Sequence, residues 1–178
     1  MRVGIFADVH DHVEHLRRAV EWFNRQQCQL VLFAGDLVST FVVPRLRKLR
    51  GRFVGVFGDN EGNRVGLLAG IKVVGLLGPG PVCVRLDRGL RLVLAHMARE
   101  LDPHPHQCQI VVVAHTHKPS VRRDEQNRLW INPGELSGWT YGDPTLALLD
   151  TDQETVEIYH LGNGQVERFP YRRLSLAG

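Results

Sequence analysis

The sequence predicts an α/β protein: a four-layer α-β-β-α sandwich in which two mixed β-sheets pack face to face and are flanked by helices. Three observations support this prediction. The first half alternates short apolar runs with helix-like segments, and the second half consists mainly of apolar runs separated by polar turns. The third is that 178 residues with 43% hydrophobic content suffice for one buried core. We expect a single domain over residues 1–178, with a loosely held tail from about Gly162.

The first half has the pattern of a β-α-β-α-β unit. Apolar runs at residues 3–7, 30–34 and 52–57 are continuous, which is typical of strands buried on both faces of a parallel sheet. Between the first two runs, apolar residues of segment 13–23 recur at helical spacing, and Asp11 precedes them as an N-cap. A shorter helix is expected between the second and third runs. The unit predicts a parallel sheet covered by helices.

The second half has the pattern of antiparallel and buried strands. Apolar and polar residues alternate over residues 82–86, and a turn signal at Asp87–Gly89 precedes another apolar run, which predicts a hairpin. Further strand-like runs lie at residues 109–114, 128–132, 146–150 and 155–161. Two sheets packed face to face would bury all of these strands.

Composition excludes several classes of protein. The net charge is only +3 and the basic residues are scattered, so the sequence predicts no nucleic-acid polymer as a partner. The three cysteines, Cys28, Cys83 and Cys108, are odd in number and lack C-x-x-C spacing, which indicates a reducing cytoplasm rather than a disulfide framework. No apolar run approaches the roughly 20 residues of a membrane span, so no membrane association is expected.

Candidate metal ligands follow the predicted strands, and each lies where an apolar run ends. They are Asp8, His10, Asp36, Asp59, His96, His115 and His117. The carboxyl ends of parallel strands share one edge of a sheet, so these side chains are expected to converge there. The i, i+2 spacing of Asp8 with His10, and of His115 with His117, predicts in extended chain that each pair points to one side. Carboxylates and imidazoles without thiolates suit manganese, iron, zinc or nickel, and seven ligands exceed the need of one ion.

Five short motifs occur in order along the chain, and together they are specific. They are Asp8-x-His10, Gly35-Asp36, Gly58-Asp59-Asn60-Glu61, Ala95-His96 and Ala114-His115-Thr116-His117. This series resembles the D-x-H, G-D, G-N-H-[DE], G-H and G-H-x-H motifs of the calcineurin-like metallophosphoesterases. The length is most similar to the small single-domain bacterial and archaeal phosphodiesterase branch, in which an asparagine-proline-glycine segment similar to residues 131–135 follows the motifs.

The resemblance implies a function and a ligand set. It implies one metal held by Asp8, His10, Asp36 and His117, and a second held by Asp36, Asp59, His96 and His115, with Asp36 as the bridge. A hydroxide held between two divalent ions, manganese before iron, zinc or nickel, would attack a small phosphodiester or nucleotide derivative. The partner expected is therefore a small phosphoester substrate, and a homo-oligomer is compatible with the sequence.

Two residues of the third motif depart from the family pattern. Asp59 stands in place of the usual asparagine, and whether Asp59 or Asn60 is the ligand stays open. Asn60 stands in place of a histidine that in many members assists the leaving group. An amide donates a hydrogen bond but cannot deliver a proton, so Asn60 is a weak catalytic candidate that favours good leaving groups.

Two other functions remain open at this point. The same fold serves some relatives, such as retromer subunits with degenerate metal sites, as a protein-binding scaffold that is catalytically weak or inactive. A phosphomonoesterase or protein phosphatase is the third hypothesis. Retention of acids or histidines at every ligand position favours an enzyme. Outside the motifs, His12 is expected to have a capping or surface role and is a minor candidate for proton transfer. Trp139 is expected in the core or an interface.

Overall fold

In the part of the chain that the computed structural model describes, residues 1–101 and 108–171, the predicted β-α-β-α-β unit lies in a sheet of seven strands. Its strands follow the order β12 (Val166–Pro170), β11 (Thr155–His160), β10 (Thr145–Asp150), β1 (Arg2–Phe6), β2 (Leu30–Phe33), β3 (Arg52–Val56) and β4 (Gly75–Gly78). The strands β1 to β4 are parallel, whereas β10, β11 and β12 are joined antiparallel to one another and to β1. The sheet is therefore mixed, as predicted.

The second sheet of the described residues has five strands. Their order is β5 (Val82–Arg85), β6 (Arg91–Leu94), β7 (Ile110–Val112), β9 (Leu129–Pro133) and β8 (Pro119–Arg123). The predicted hairpin is confirmed, because β5 pairs antiparallel with β6 across a 3₁₀ turn at Asp87–Gly89. The pairs β6–β7 and β7–β9 are parallel, so the ends of β6 and β7 open towards one edge.

The core between the sheets follows from the alternation of side chains along each strand. In β1, Val3 and Ile5 belong to the cluster that includes Leu94 and Val112 of the second sheet. Phe6, on the other face of β1, belongs to the cluster beneath the helices. Because both faces of β1 are covered, a continuous apolar run was the correct signal for this strand.

The α-helices cover the outer face of the first sheet. They are α1 (Val13–Arg25), α2 (Val43–Leu46) and α3 (Arg64–Ile71), and their buried residues pack on the phenylalanines of that face. The opposite outer face, in the described residues, carries the 3₁₀ segment Ala98–Glu100 and a small cluster containing Trp130. None of the helices within residues 1–101 and 108–171 is both long enough and apolar enough to cross a membrane.

The N-cap of α1 differs from the prediction. The cap residue is His12, whose Nδ1 accepts a hydrogen bond from the backbone N–H of His15 at 3.2 Å. Asp11 was therefore the wrong choice, and its carboxylate instead accepts from the backbone and hydroxyl of Ser39 at 3.0 and 2.7 Å. The capping role expected for His12 is confirmed.

Four elements have no counterpart in the sequence prediction: α3, β4, β8 and β12. The helix α3 has eight residues and contains two glycines, so it offers too little helical periodicity to detect. The edge strand β12 pairs with β11 in a part of the chain expected to be loosely held, and residues 172–178 of that tail lie outside the described residues. That the whole chain is one domain stays a prediction.

Candidate metal centre

The predicted ligands lie in loops that follow five strands. Asp8, Asp36 and Asp59 follow β1, β2 and β3 of the first sheet, and His96, His115 and His117 follow β6 and β7 of the second. Backbone hydrogen bonds join neighbouring loops, such as Asp8 N–H to Gly35 O at 2.9 Å and Ala114 N–H to His96 O at 2.8 Å. His96 of the second sheet contacts the backbone oxygen of Ala34 in the first at 2.7 Å, so the loops of both sheets meet at one edge of the sandwich, as the sequence predicted.

The backbone of these loops is not extended. Asp8, His10, Asp36, His115 and His117 all have positive φ, between +42° and +68°. This left-handed region is uncommon outside glycine, although aspartate and histidine adopt it more readily than most residues. The extended chain assumed for His115 and His117 was wrong, because both have left-handed backbone, and the two rings contact different carboxylates: His115 lies 3.3 Å from Asp59 and His117 lies 3.6 Å from Asp8.

One group of side chains that could hold a metal consists of Asp8, His10 and His117. The Nε2 atoms of His10 and His117 are 3.4 Å apart, and they lie 3.9 and 3.6 Å from Oδ1 of Asp8. Burial lowers the pKa of His10, so the ring is held in the neutral form that ligates metals. The geometry directs one carboxylate and two imidazole nitrogens at a common point.

A second such group consists of Asp59, His96 and His115. His96 donates from Nδ1 to the backbone oxygen of Ala34 at 2.7 Å, which leaves Nε2 at 2.8 Å from Oδ1 of Asp59. His115 Nδ1 lies 3.3 Å from the same oxygen. Partial burial opposes ionisation of Asp59, but the contact with His96, a backbone N–H and the charge of His115 together outweigh it and lower the pKa of this carboxyl.

Asp36 lies between the two groups. Its Oδ2 atom is 3.5 Å from Nε2 of His10 and 3.6 Å from Nε2 of His96. Asn60 holds this carboxylate through its backbone N–H on Oδ1 and its side-chain amide on Oδ2, both at 2.9 Å. The structure therefore brings all the predicted site residues together, and it gives Asn60 a definite contact.

Two motif glycines are explained by close packing in the centre. A Cβ on Gly58 would clash with Oδ1 and the backbone nitrogen of Asp36, and one on Gly35 would clash with the His96 ring. Gly35 also has φ of +103°, a conformation that side chains rarely allow. These positions require glycine because the carboxylate and the imidazole approach the backbone directly.

Asp8 supplies the test of whether the centre fits a cation. The residue is fully buried, and neither of its carboxylate oxygens has a hydrogen-bond partner in the described residues. Burial raises the pKa of Asp8 to about 7, and the rings of His117 and His96 offset only part of this effect. A buried carboxylate without donors costs several kcal/mol unless a cation compensates it. The donor set of oxygens and imidazole nitrogens fits a divalent ion.

Two carboxylates that support the centre were not recognised from sequence. Glu61 accepts hydrogen bonds from the backbone of Asp36 and Gly58 at 3.0 and 3.2 Å, and it fixes the two loops against each other. Glu135 is buried and contacts Nδ1 of His117 at 3.0 Å. Both residues end segments that the sequence analysis singled out: Glu61 ends the third motif, and Glu135 ends segment 131–135. Neither segment indicates which backbone or ring nitrogens the carboxylate contacts.

A cleft of about 490 Å³ opens beside the first group. It is lined by His10, Val38, Asn60, His117, Trp139 and Thr140. Trp139 is 67% exposed, so the expectation that it lies in the core is wrong, while a place in an interface stays a prediction. The cleft gives a small molecule direct access to the candidate ligands.

A two-sheet α/β sandwich that gathers three carboxylates and four imidazoles at one edge defines a protein with a candidate metal centre. A family profile described as a calcineurin-like phosphoesterase superfamily domain matches residues 1–154. The chain belongs to the calcineurin-like phosphoesterase superfamily.

Individual relatives agree with this membership. Phosphodiesterase MJ0936 of Methanocaldococcus jannaschii is 31% identical over 160 residues, which cover 86% of this chain and 95% of the relative. The structure of a protein described as a novel archaeal phosphodiesterase superposes with a TM-score of 0.79 at 29% identity, covering 90% of this chain and 99% of the other. YfcE, a phosphoesterase from E. coli, has a TM-score of 0.79 at 20% identity, covers 97% and 100% of the two chains, and shows that the fold is shared.

Proposed function

We propose that this protein is a metal-dependent phosphodiesterase that hydrolyses a small phosphodiester or nucleotide derivative. The observation that carries the proposal is the position of Asp36, whose Oδ2 atom lies at nearly equal distances, 3.5 and 3.6 Å, from one imidazole of each ligand group. Asp8, with its unpartnered buried oxygens, supports the same conclusion. The phosphodiesterase named among the relatives is consistent with this activity.

The ligand assignment is part of the proposal. Asp8, His10, Asp36 and His117 would hold one ion, and Asp36, Asp59, His96 and His115 would hold the second. Two such ions polarise phosphoryl oxygens and lower the pKa of water at neutral pH. We propose manganese as the ion, with iron, zinc and nickel as alternatives, because the donors are carboxylates and imidazoles without a thiolate. We propose Asp59 rather than Asn60 as the third-motif ligand, since Oδ1 of Asp59 lies 2.8 and 3.3 Å from the ring nitrogens of His96 and His115.

The role of Asn60 follows from its contacts. Its side-chain amide donates to Asp36 at 2.9 Å and borders the cleft, so it orients the central carboxylate next to the bound phosphate. It cannot protonate a leaving group. His12 is not among the residues that line the cleft, and its Nδ1 accepts the backbone N–H of His15. The proposed enzyme therefore favours phosphodiesters whose leaving group departs as a stable anion.

The test uses bis-p-nitrophenyl phosphate with added manganese. We expect hydrolysis by the parent protein and a loss of at least a hundredfold in Asp36→Asn, because the variant removes the charge shared by both ligand groups. Glu125→Gln, which changes an exposed acid outside the site, is the matched control and should keep the parent rate. Circular dichroism and bound-metal content separate loss of chemistry from loss of folding. Equal rates for the parent and Asp36→Asn would remove the enzyme proposal.

Two alternatives make different predictions in the same assays. A phosphomonoesterase would hydrolyse p-nitrophenyl phosphate faster than the diester. A protein-binding scaffold would hydrolyse neither and would bind manganese weakly. A cytoplasmic location is also proposed, because the three cysteines are free thiols in the structure.

A further inference from the structure

Trp139 forms an exposed aromatic wall next to the metal centre. Two thirds of its surface, 67%, is open, although it lines the same cleft as His10 and His117. An exposed tryptophan gives up the free energy that burial of so large an apolar surface would provide. This exposure is understandable where the ring is reserved for a ligand.

The ring is exposed and yet held in place. Its Nε1–H donates to the backbone oxygen of His10 at 3.3 Å. One side of the ring contacts His12, with ring centres 4.8 Å apart, and His12 is itself stacked on His15 at 3.5 Å. The loop closes through a hydrogen bond from Gly142 N–H to Gly138 O at 3.1 Å. Trp139 is therefore preorganised, and a ligand that stacks on it loses little entropy to ordering the ring.

Val38 provides a second apolar contact in the cleft. Its φ is +79°, which is strained for a β-branched residue. The strain is maintained by Glu61, which accepts from the Val38 N–H at 2.8 Å, and by Gly62, whose N–H donates to Val38 O at 3.0 Å. The cleft is thus lined by two candidate metal ligands, by the aromatic ring of Trp139 and by the aliphatic side chain of Val38.

We propose that Trp139 is a specificity-determining residue that stacks against the nucleobase of a nucleotide phosphodiester. The proposal rests on the phosphodiesterase function above, since the phosphate must lie at the metal centre for the base to reach the ring. The cleft volume of about 490 Å³ is in the range of small-molecule sites. Stacking on one tryptophan selects a planar aromatic group but does not distinguish one base from another, because every base has a π-face.

The experiment compares adenosine 5′-monophosphate with ribose 5-phosphate, which differ only in the base. Calorimetric titration of the manganese-loaded protein should show tighter binding of the nucleotide by about fivefold or more. Trp139→Ala should bring the two affinities to within a factor of about two while leaving ribose 5-phosphate binding unchanged. Trp139→Phe, which keeps an aromatic face but loses the hydrogen bond to His10, should keep most of the preference.

A matched control is Phe41→Ala. Phe41 is 80% exposed but does not line the cleft, and its removal should not change the ratio of the two affinities. The inference is overturned if the parent binds both ligands equally or binds neither, or if Trp139→Ala weakens both to the same extent, which would make the residue a support for His10 alone.

A kinetic comparison separates this inference from the proposed function. The p-nitrophenyl esters of thymidine 5′-phosphate and of methyl phosphate have the same leaving group. If the parent hydrolyses both at equal kcat/KM, the phosphodiesterase function stands and the role of Trp139 fails. If the parent hydrolyses neither, the proposed function itself fails, whatever the binding data show.

Discussion

Nδ1 of His117 lies 3.0 Å from a carboxylate oxygen of the buried residue Glu135. The opposite ring nitrogen, Nε2, faces Asp8 and His10. A carboxylate on one nitrogen of an imidazole fixes the ring and makes the other nitrogen a better metal donor. Glu135 is kept ionised by its surroundings: burial opposes ionisation, but backbone donors from Tyr141 and Thr140 prevail and lower its pKa.

The substitution Glu135→Gln should weaken manganese binding about 10- to 100-fold, because the amide has the shape of the carboxylate without its charge. Isothermal titration calorimetry measures the affinity. The control is Ser137→Ala, which removes a hydroxyl that donates to the same carboxylate at 2.9 Å but does not touch His117. Unchanged affinity in Glu135→Gln would show that the carboxylate has no influence on the ligand.

The substitution Asp8→Asn should have opposite effects with and without metal. In metal-free protein at a pH of about 8, above the raised pKa of Asp8, it removes a buried charge that lacks hydrogen-bond partners, so the free energy of unfolding should rise by about 1–3 kcal/mol. With manganese present, the stabilisation by the ion should be lost. Urea unfolding in chelator and in manganese measures both effects. A variant less stable than the parent in chelator would mean that Asp8 is compensated without an ion.

Gly58→Ala should disrupt the centre because the added methyl group clashes with the carboxylate of Asp36. We expect a loss of about 1–3 kcal/mol in the free energy of unfolding and a weaker affinity for manganese. Gly78→Ala is the matched control, since a Cβ there meets nothing within 4 Å. Thermal unfolding and metal titration of both variants provide the comparison, and equal behaviour of the two would contradict the packing argument.

Asn60→Ala should lower kcat/KM for bis-p-nitrophenyl phosphate by about tenfold or more. The variant removes a hydrogen bond of 2.9 Å to the carboxylate of Asp36, and hydrogen bonds to charged groups contribute about 1.5–3 kcal/mol. Steady-state kinetics at saturating manganese provide the measurement. A rate equal to that of the parent would show that the backbone N–H of residue 60 suffices to orient the carboxylate.

His160 should make stability depend on pH. Its two ring nitrogens lie 2.7 and 2.9 Å from the carboxylates of Asp143 and Glu167. Burial lowers the pKa of His160, but these partners outweigh burial, so the folded-state pKa is raised above 6.5. The contribution of the charged ring is therefore complete below pH 6.5 and is lost as the pH rises through the folded-state value.

The measurement is the difference in free energy of unfolding between the parent and His160→Gln, followed from pH 5.5 to 9 by urea unfolding. We expect a parent advantage at low pH that shrinks at high pH. A difference that stays constant across this range would contradict the proposed protonation of the ring.

The sequence predicted which residues form the candidate site better than it predicted the directions of their side chains. The positions of Asp8, Asp36 and His96 were predictable because each follows a continuous apolar run, and strand ends are fixed by burial. The direction of each side chain was not, because a residue such as His115 takes a left-handed backbone that is set by neighbouring loops rather than by its own preference.

The remaining differences have the same origin in tertiary contacts. Trp139 was expected in the core or an interface since tryptophan is usually well buried, whereas a hydrogen bond to His10 holds it at the surface of the cleft. The role of Glu135 depends on a contact with a residue 18 positions earlier in the chain. The helix α3 and the edge strand β12 carry too few buried residues to leave a periodic signal.

The candidate ligands come from both sheets of the sandwich. Four of them follow strands of the first sheet, and three follow strands of the second. The distances across the centre therefore depend on how the two sheets are registered against each other through the apolar layer of Ile5, Leu94 and Val112. The apolar layer far from the cleft therefore sets the distances between the candidate ligands of the two sheets.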